Sequence, residues 1–288
     1  MERRYFLPAF VTAGLAAAQI SVPARIVRKG RLRQSCFDRV FGAGMPLEDM
    51  CREAARLGAV GFDAQPPEAW STLKRFGLTP TLARGGGISI EAGIIHEQLH
   101  SDLVSSLGEL IDLCAVNGCP SILIVGGQRN GMSYAEGAYH AAAFLNRVKS
   151  HAEQKNVTLC LEVMNSKYAD PAFGRKDQVC DHLDWAVELC TRVNSPRVKI
   201  LFDIYHVQIM DGNIIANIQA CLPLIGHFHT GGVPGRHEID ETQELNYGLV
   251  FRTIAELGYR GVIAHEYDPT PGRDPVRSLE KVFAITDV

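Results

Sequence analysis

The sequence predicts a single-domain (β/α)8 TIM barrel preceded by a signal-like N-terminal segment, and three observations carry that prediction. First, apolar strand-like runs alternate with amphipathic helix-like runs, eight times over, from Gln34 to the C-terminus. Second, the strand-like runs of the second half (TLCLEV, VKILFDI, IGHFH, GVIAHE) are apolar nearly throughout. Strands covered by helices on one side and packed on the other read this way, which points to a buried parallel sheet. Third, no GxGxxG follows the first strand, which removes the main signature of an open dinucleotide-binding sheet. The 288 residues suffice for one barrel, a fold of about 250 residues.

The elements follow in order. A strand at 34–37 leads to a helix from Pro46, placed at the favoured first helical position, to Leu57, with Gly58 ending it. A strand at 60–64 and a helix at 66–76 come next, closed by Gly77. The third strand, 78–83, opens into Arg84-Gly85-Gly86-Gly87 and a long helix at 96–117 stopped by Gly118. The fourth strand, 121–125, precedes a helix at 133–154. Strands at 158–163, 198–204, 225–229 and 261–266 then alternate with helices at 177–193, 214–222, 248–257 and 275–283.

Composition excludes several classes. The chain is 46% hydrophobic and 21% charged with a net charge of -3, so it carries no broad basic field, and no nucleic-acid partner is expected. Its eight cysteines form no CxxC pair and lie mostly in apolar runs, which reads as buried free thiols. Residues 1–33 stand apart as a leader and basic linker, with the barrel expected over 34–288. Arg3-Arg4-x-Phe6-Leu7, a short apolar stretch and Ala16-Ala17-Ala18 resemble a twin-arginine export signal with its cleavage site. The stretch is too short for a stable membrane span, which needs about 20 apolar residues. An exported, periplasmic location is therefore expected, or a cytoplasmic one if the leader is not functional.

Each of the last four strands ends in a metal-ligand type: Glu162 in LEVMN, Asp203 in FDIYH, His229 in HFHTGG and Glu266 in AHEYDP. They are separated by about one βα unit each, so they are expected on adjacent strands at one barrel rim. A carboxylate ending an apolar strand costs several kcal/mol to desolvate unless it is paired or binds a cation. Three carboxylates and one imidazole suit Mn²⁺ or Mg²⁺, with Zn²⁺ as the alternative. His227, on the same face as His229, is read as structural. His206, three residues past Asp203, and Arg236, in a glycine-rich loop after His229, are placed as substrate-binding residues. Glu162 and Glu266 are expected to face each other as the catalytic pair, one removing a proton beside a carbonyl and one returning it.

The pieces PLEDMCREAARLGAVGFD, LEVMN, FDIYHVQIMDGN, PGRHEIDETQELNY and GYRGVIAHEYDPT lie in one order and spacing from Gln34 onward. In this the chain resembles the xylose isomerase-like TIM-barrel superfamily and, within it, the hydroxypyruvate isomerase family. The resemblance implies Glu162 and Glu266 as acid/base residues and ligands, Asp203 as a further ligand, and His206 and Arg236 as substrate contacts. The implied activity interconverts hydroxypyruvate and tartronate semialdehyde. Two departures touch the substrate side: His229 stands where those isomerases carry Gln, as in ketose 3-epimerases, and the loop Ile239-Asp240-Glu241-Thr242-Gln243 differs from theirs. A ketose 3-epimerase is the alternative, and an endonuclease IV-like nuclease, needing a multi-zinc centre and a basic groove, ranks below both. The expected partner is a small molecule (hydroxypyruvate, tartronate semialdehyde or a ketose), and a homo-oligomer is compatible with the sequence.

Overall fold

The computed structural model describes residues 24–167 and 176–288. Eight strands, β1 (Arg33–Cys36), β2 (Gly61–Asp63), β3 (Thr79–Arg84), β4 (Ser121–Ile124), β5 (Thr158–Glu162), β6 (Val198–Asp203), β7 (Ile225–Thr230) and β8 (Val262–His265), close into a barrel in sequence order. All neighbouring strands are parallel, and β1 pairs with β8 from Arg33↔Val262 to Cys36↔His265. Parallel neighbours require a crossover between them, and helices supply it. The α-helices are α1 (Leu47–Leu57), α2 (Trp70–Arg75), α3 (His100–Asn117), α4 (Tyr134–Lys155), α5 (Leu183–Val193), α6 (Ile204–Met210), α7 (Ile214–Cys221), α8 (Tyr247–Glu256) and α9 (Pro275–Ile285). The expected eight-stranded barrel is present.

Helix and strand periodicities explain the layering. In α1, LEDMCREAARL turns Cys51, Ala54, Ala55 and Leu57 inward at helical spacing, and Gly58 ends the helix at φ 96°. Pro46 is the N-cap of α1 and not its first helical residue. Between strands and helices runs one large apolar core that includes Phe41, Phe62, Phe144, Phe202, Phe228 and Phe283. A second, smaller cluster of Leu82, Leu123, Cys160 and Leu201 joins residues of β3, β4, β5 and β6. All eight cysteines are buried and free, as their apolar settings imply.

Two elements and the linker also differ from the sequence reading. The helix expected from Asp177 starts only at Leu183, because Asp177 takes φ 63° and Gln178 instead bridges Gln128 in antiparallel fashion. An additional helix, α6, follows β6 directly, with the Asp203 side chain accepting from the backbone N–H groups of Tyr205 and His206. The described part of the basic linker packs on the barrel: Arg25 Nη2 and Arg28 Nε donate to the carbonyls of Gly58 and Leu57, at the C-terminal end of α1. The signal-like segment falls within residues 1–23, outside the described residues. Among the described residues, no helix is long and apolar enough to cross a membrane.

Candidate active site and metal centre

The C-terminal ends of β5, β6, β7 and β8 bring the four expected residues together. One ligand atom each from Glu162, Asp203, His229 and Glu266 lies within 4.8 Å of the others, and all four residues are buried. Strand pairing dictates this. Asp203 is level with His229 across β6 and β7, and His229 with Ala264 across β7 and β8, so Glu266 emerges just above. The period-two alternation of IGHFHT sends His227 and His229 to one face, where both reach the same partner.

That partner is Asp63, the last residue of β2. Its Oδ2 accepts from His227 Nε2 at 2.7 Å and His229 Nε2 at 3.2 Å, and its Oδ1 accepts from Ser35 Oγ at 3.1 Å and from Thr81 Oγ1. Burial pushes the Asp63 carboxyl up, but the attraction and hydrogen bonds of His227 and His229 outweigh it and hold the group well below the usual range. Asp63 is thus an acceptor-only carboxylate, and His229 Nε2 must carry a hydrogen to meet it. Asp63, His227 and His229 are close enough to count as a second ligand cluster. Their short N–O distances describe hydrogen bonds, however, and His227 fills the structural role read for it.

The consequence falls on the other ring nitrogen. His229 Nδ1 is buried without a hydrogen-bond partner, 3.0 Å from Glu266 Oε2 and 3.4 Å from Glu162 Oε1. A lone pair aimed at two carboxylate oxygens is repelled by both, so this point demands positive charge, either a second proton or a cation. Burial disfavours the charged ring, but the neighbouring carboxylates of Asp63, Glu162 and Glu266 favour it more strongly and raise its pKa well above the ordinary 6.5. A divalent ion answers the same demand while leaving the imidazole neutral, and the donor set of three carboxylates and one nitrogen fits Mn²⁺, Mg²⁺ or Zn²⁺.

Arg236 supplies one positive charge already. Its Nη2 lies 2.8 Å from Asp203 Oδ2 and 2.6 Å from Glu266 Oε2, its Nε donates to the Glu266 carbonyl, and its Nη1 donates to His206 Nε2 at 2.8 Å. The residue is only 2% exposed. The glycine-rich loop that carries it is tightly tied. Gly232 N–H donates to His237, Arg236 N–H to Gly232, and Tyr247 Oη donates to the Gly231 carbonyl. A Cβ at Gly232 would sit 2.3 Å from the Glu238 carbonyl, so only glycine permits the turn that folds Arg236 back over the rim. Burial lowers the guanidinium's pKa, but Glu266 and Asp203 raise it further, so it stays charged.

The carboxylates respond differently. Burial lifts Asp203 to about 6, with Arg236 opposing and Glu266 and Glu162 adding to the rise. Glu266 is also buried, yet Arg236 and His229 hold it well below the usual range. Asp203 divides its work: Oδ1 caps α6 and Oδ2 meets Arg236. His206, on α6, is buried with Asn165 Nδ2 2.6 Å from its Nδ1. Arg39, in the turn after β1, chelates Asp268 and reaches Glu266 Oε1 at 3.4 Å. Asp63, Asn165 and Arg39 were not singled out from the sequence.

Beside this cluster lies a cleft of about 430 Å³, counting the space open to solvent at its mouth. Glu162, His229 and Glu266 form its polar floor, and Phe37, Ile88, Ile90, Leu123 and Val125 its apolar walls, with Arg84 and Gly85 at the end of β3. Phe37 packs edge-on against His229, with ring centroids 5.0 Å apart. A small polar molecule in this cleft would face both glutamates.

Comparison with known proteins agrees with the barrel fold. The family model for the xylose isomerase-like TIM barrel matches residues 43–282. A Danio rerio protein named "Putative hydroxypyruvate isomerase" is 41% identical over 109 residues, covering 38% of each chain. A Cupriavidus necator protein named 2-oxo-tetronate isomerase is 29% identical over 180 residues, covering 60% of this chain and 64% of its own. The chain therefore spans between about a third and two thirds of these relatives. Among solved structures, the family 2 AP endonuclease from Brucella melitensis superposes with a TM-score of 0.73 at 25% identity, covering 85% of this chain and 95% of that one.

Proposed function

This chain belongs to the xylose isomerase-like TIM-barrel family, and on that premise we propose that it is a metal-dependent isomerase of a small hydroxy-carbonyl compound, of the hydroxypyruvate isomerase type. The observation that carries the reading is the convergence of Glu162, Asp203, His229 and Glu266, with His229 Nδ1 unpartnered at the centre. The names of the curated relatives support the same reaction class.

In the proposed reaction, hydroxypyruvate lies in the cleft with its hydroxymethyl carbon beside one glutamate. That carboxylate removes a proton from this carbon, and the carbonyl π electrons move onto oxygen, giving an enediolate. The glutamate that took the proton returns it to the former carbonyl carbon, while the other, as an anion, relays the hydroxyl proton from one oxygen to the other, giving tartronate semialdehyde. Glu162 is the better base of the two, because Glu266 is clamped as an anion by Arg236 and His229. A divalent cation held by Glu162, Asp203, His229 and Glu266 would stabilise the negative charge that develops on the substrate's oxygens. His206 and Arg236 contribute from behind the carboxylates, holding Asp203 and Glu266 in place.

A second reading, ketose 3-epimerisation by the same two glutamates, is favoured by the histidine at position 229, and differs only in the carbon that is reprotonated. The decisive test is solvent-deuterium incorporation over hydroxypyruvate, tartronate semialdehyde and a panel of free ketoses with added Mn²⁺. Exchange in the three-carbon acids is expected. Exchange confined to C3 of a ketose would select the epimerase, and no exchange in any compound would overturn both. Metal analysis separates a nuclease, for which about three zinc ions per chain would be expected.

A further inference from the structure

The cleft has a cation that the acid cluster does not use. Arg84 is the last residue of β3, is exposed, and lines the cleft together with Glu162, His229 and Glu266. Among the described residues it makes no ion pair or side-chain hydrogen bond, whereas Arg236 and Arg39 are both committed to carboxylates. The backbone after Arg84 is drawn down onto α3: a Cβ at Gly86 would lie 3.0 Å from Leu107 Cα, and Gly86 and Gly87 both take left-handed φ. The rest of that side of the cleft is Phe37, Ile88, Ile90, Leu123 and Val125. An apolar wall interrupted by one uncommitted guanidinium recognises a small anion far better than a ring of hydroxyls.

We propose that Arg84 binds the carboxylate of the substrate, and so restricts the site to short 2-oxo and 2-hydroxy acids. This rests on the isomerase reading and deepens it by naming the substrate class. It also reassigns a role. The planar fork expected at Arg236 to receive a carboxylate is filled by Asp203, Glu266 and His206, whereas Arg84 lines the same cleft without a carboxylate partner among the described residues. An acid held there by its carboxylate directs its hydroxy-carbonyl end to the two glutamates. An uncharged ketose would leave the guanidinium with water alone.

The test compares wild type with Arg84→Gln and Arg84→Lys on two substrates in Mn²⁺. Hydroxypyruvate and 1,3-dihydroxyacetone differ only in that a carboxylate replaces a hydroxymethyl group. Arg84→Gln is expected to lose about tenfold to a hundredfold in kcat/KM on hydroxypyruvate, chiefly through KM. Its loss on dihydroxyacetone should stay under about threefold, and Arg84→Lys should recover part of the first loss. Equal losses on both substrates, or unchanged hydroxypyruvate kinetics, would overturn the proposal. Calorimetric titration with tartronate, a hydroxy diacid that cannot isomerise, keeps the two readings separable. A Kd weakened about tenfold in Arg84→Gln supports Arg84 even if neither substrate turns over, in which case the isomerase reading alone fails. An unchanged Kd, or no binding by wild type, removes Arg84 from the role.

Discussion

His229 Nε2 lies 3.2 Å from Asp63 Oδ2, with both groups fully buried and 166 residues apart in sequence. This bond fixes which imidazole nitrogen is left to face Glu162 and Glu266. Asp63→Asn should therefore loosen the ring's tautomer without touching the rim. Affinity for Mn²⁺ is expected to fall about 10–100-fold, as for other hydrogen-bond partners of metal-binding histidines. Isothermal titration of the metal-free proteins measures it, and equal affinities would detach Asp63 from the site.

Glu162→Gln and Glu266→Gln should each lower deuterium exchange by at least about 100-fold, the scale of a lost general acid or base. Their stabilities should differ. Glu266 anchors Arg236 at 2.6 Å and His229 at 3.0 Å, while Glu162 approaches His229 at 3.4 Å. Thermal unfolding should thus show the larger drop for Glu266→Gln, and substantial exchange in either variant would strip that residue of its acid/base role.

Arg236→Met leaves Asp203 and Glu266 buried with no guanidinium between them. Breaking a buried pair by removing one partner typically costs about 3–5 kcal/mol. The metal-free variant should lose stability on that scale in urea titration, and Mn²⁺ should restore more of it than it adds to wild type. A variant as stable as wild type without metal would contradict the charge balance described for the site.

The pH dependence of the metal-free protein follows from His229. Its folded pKa is raised above the ordinary 6.5, so the native state holds a proton that the unfolded chain has released. The contribution is fully present below 6.5 and is lost as pH rises through the folded value. Asp203, raised from 3.8 to about 6, has the same sign over that lower window. Stability should decline above pH 6.5 by up to about 1.4 kcal/mol per unit for this one group. Mn²⁺, which needs the ring neutral, should bind more tightly over the same range and flatten the decline. Melting curves from pH 6 to 9 with and without EDTA test both.

The barrel and its four rim residues were legible because the signals are local. Apolar runs at barrel spacing mark the strands, and a charged residue at the end of such a run is conspicuous. Asp63 ends the run Val60-Gly61-Phe62 in just that way and could have been found by the same rule. Arg39 could not, since nothing in Asp38-Arg39-Val40-Phe41 announces that the chain's start meets Asp268 and Glu266. The short helix α6 was missed because its cap is the ligand candidate Asp203 itself, one carboxylate serving two neighbours. Arg236 was found by residue type, but its burial depends on the Gly231-Gly232 turn and on Tyr247, contacts that sequence spacing does not encode.

Asp203 joins the folding of α6 to the chemistry of the rim, so changes there alter two properties at once. Position 84 has no such entanglement: it ends a strand, meets solvent, and supports no neighbour's charge among the described residues. A designer seeking to retune this scaffold toward uncharged sugars would do best to begin at β3, where selectivity can be varied while the β6–β8 corner keeps its form.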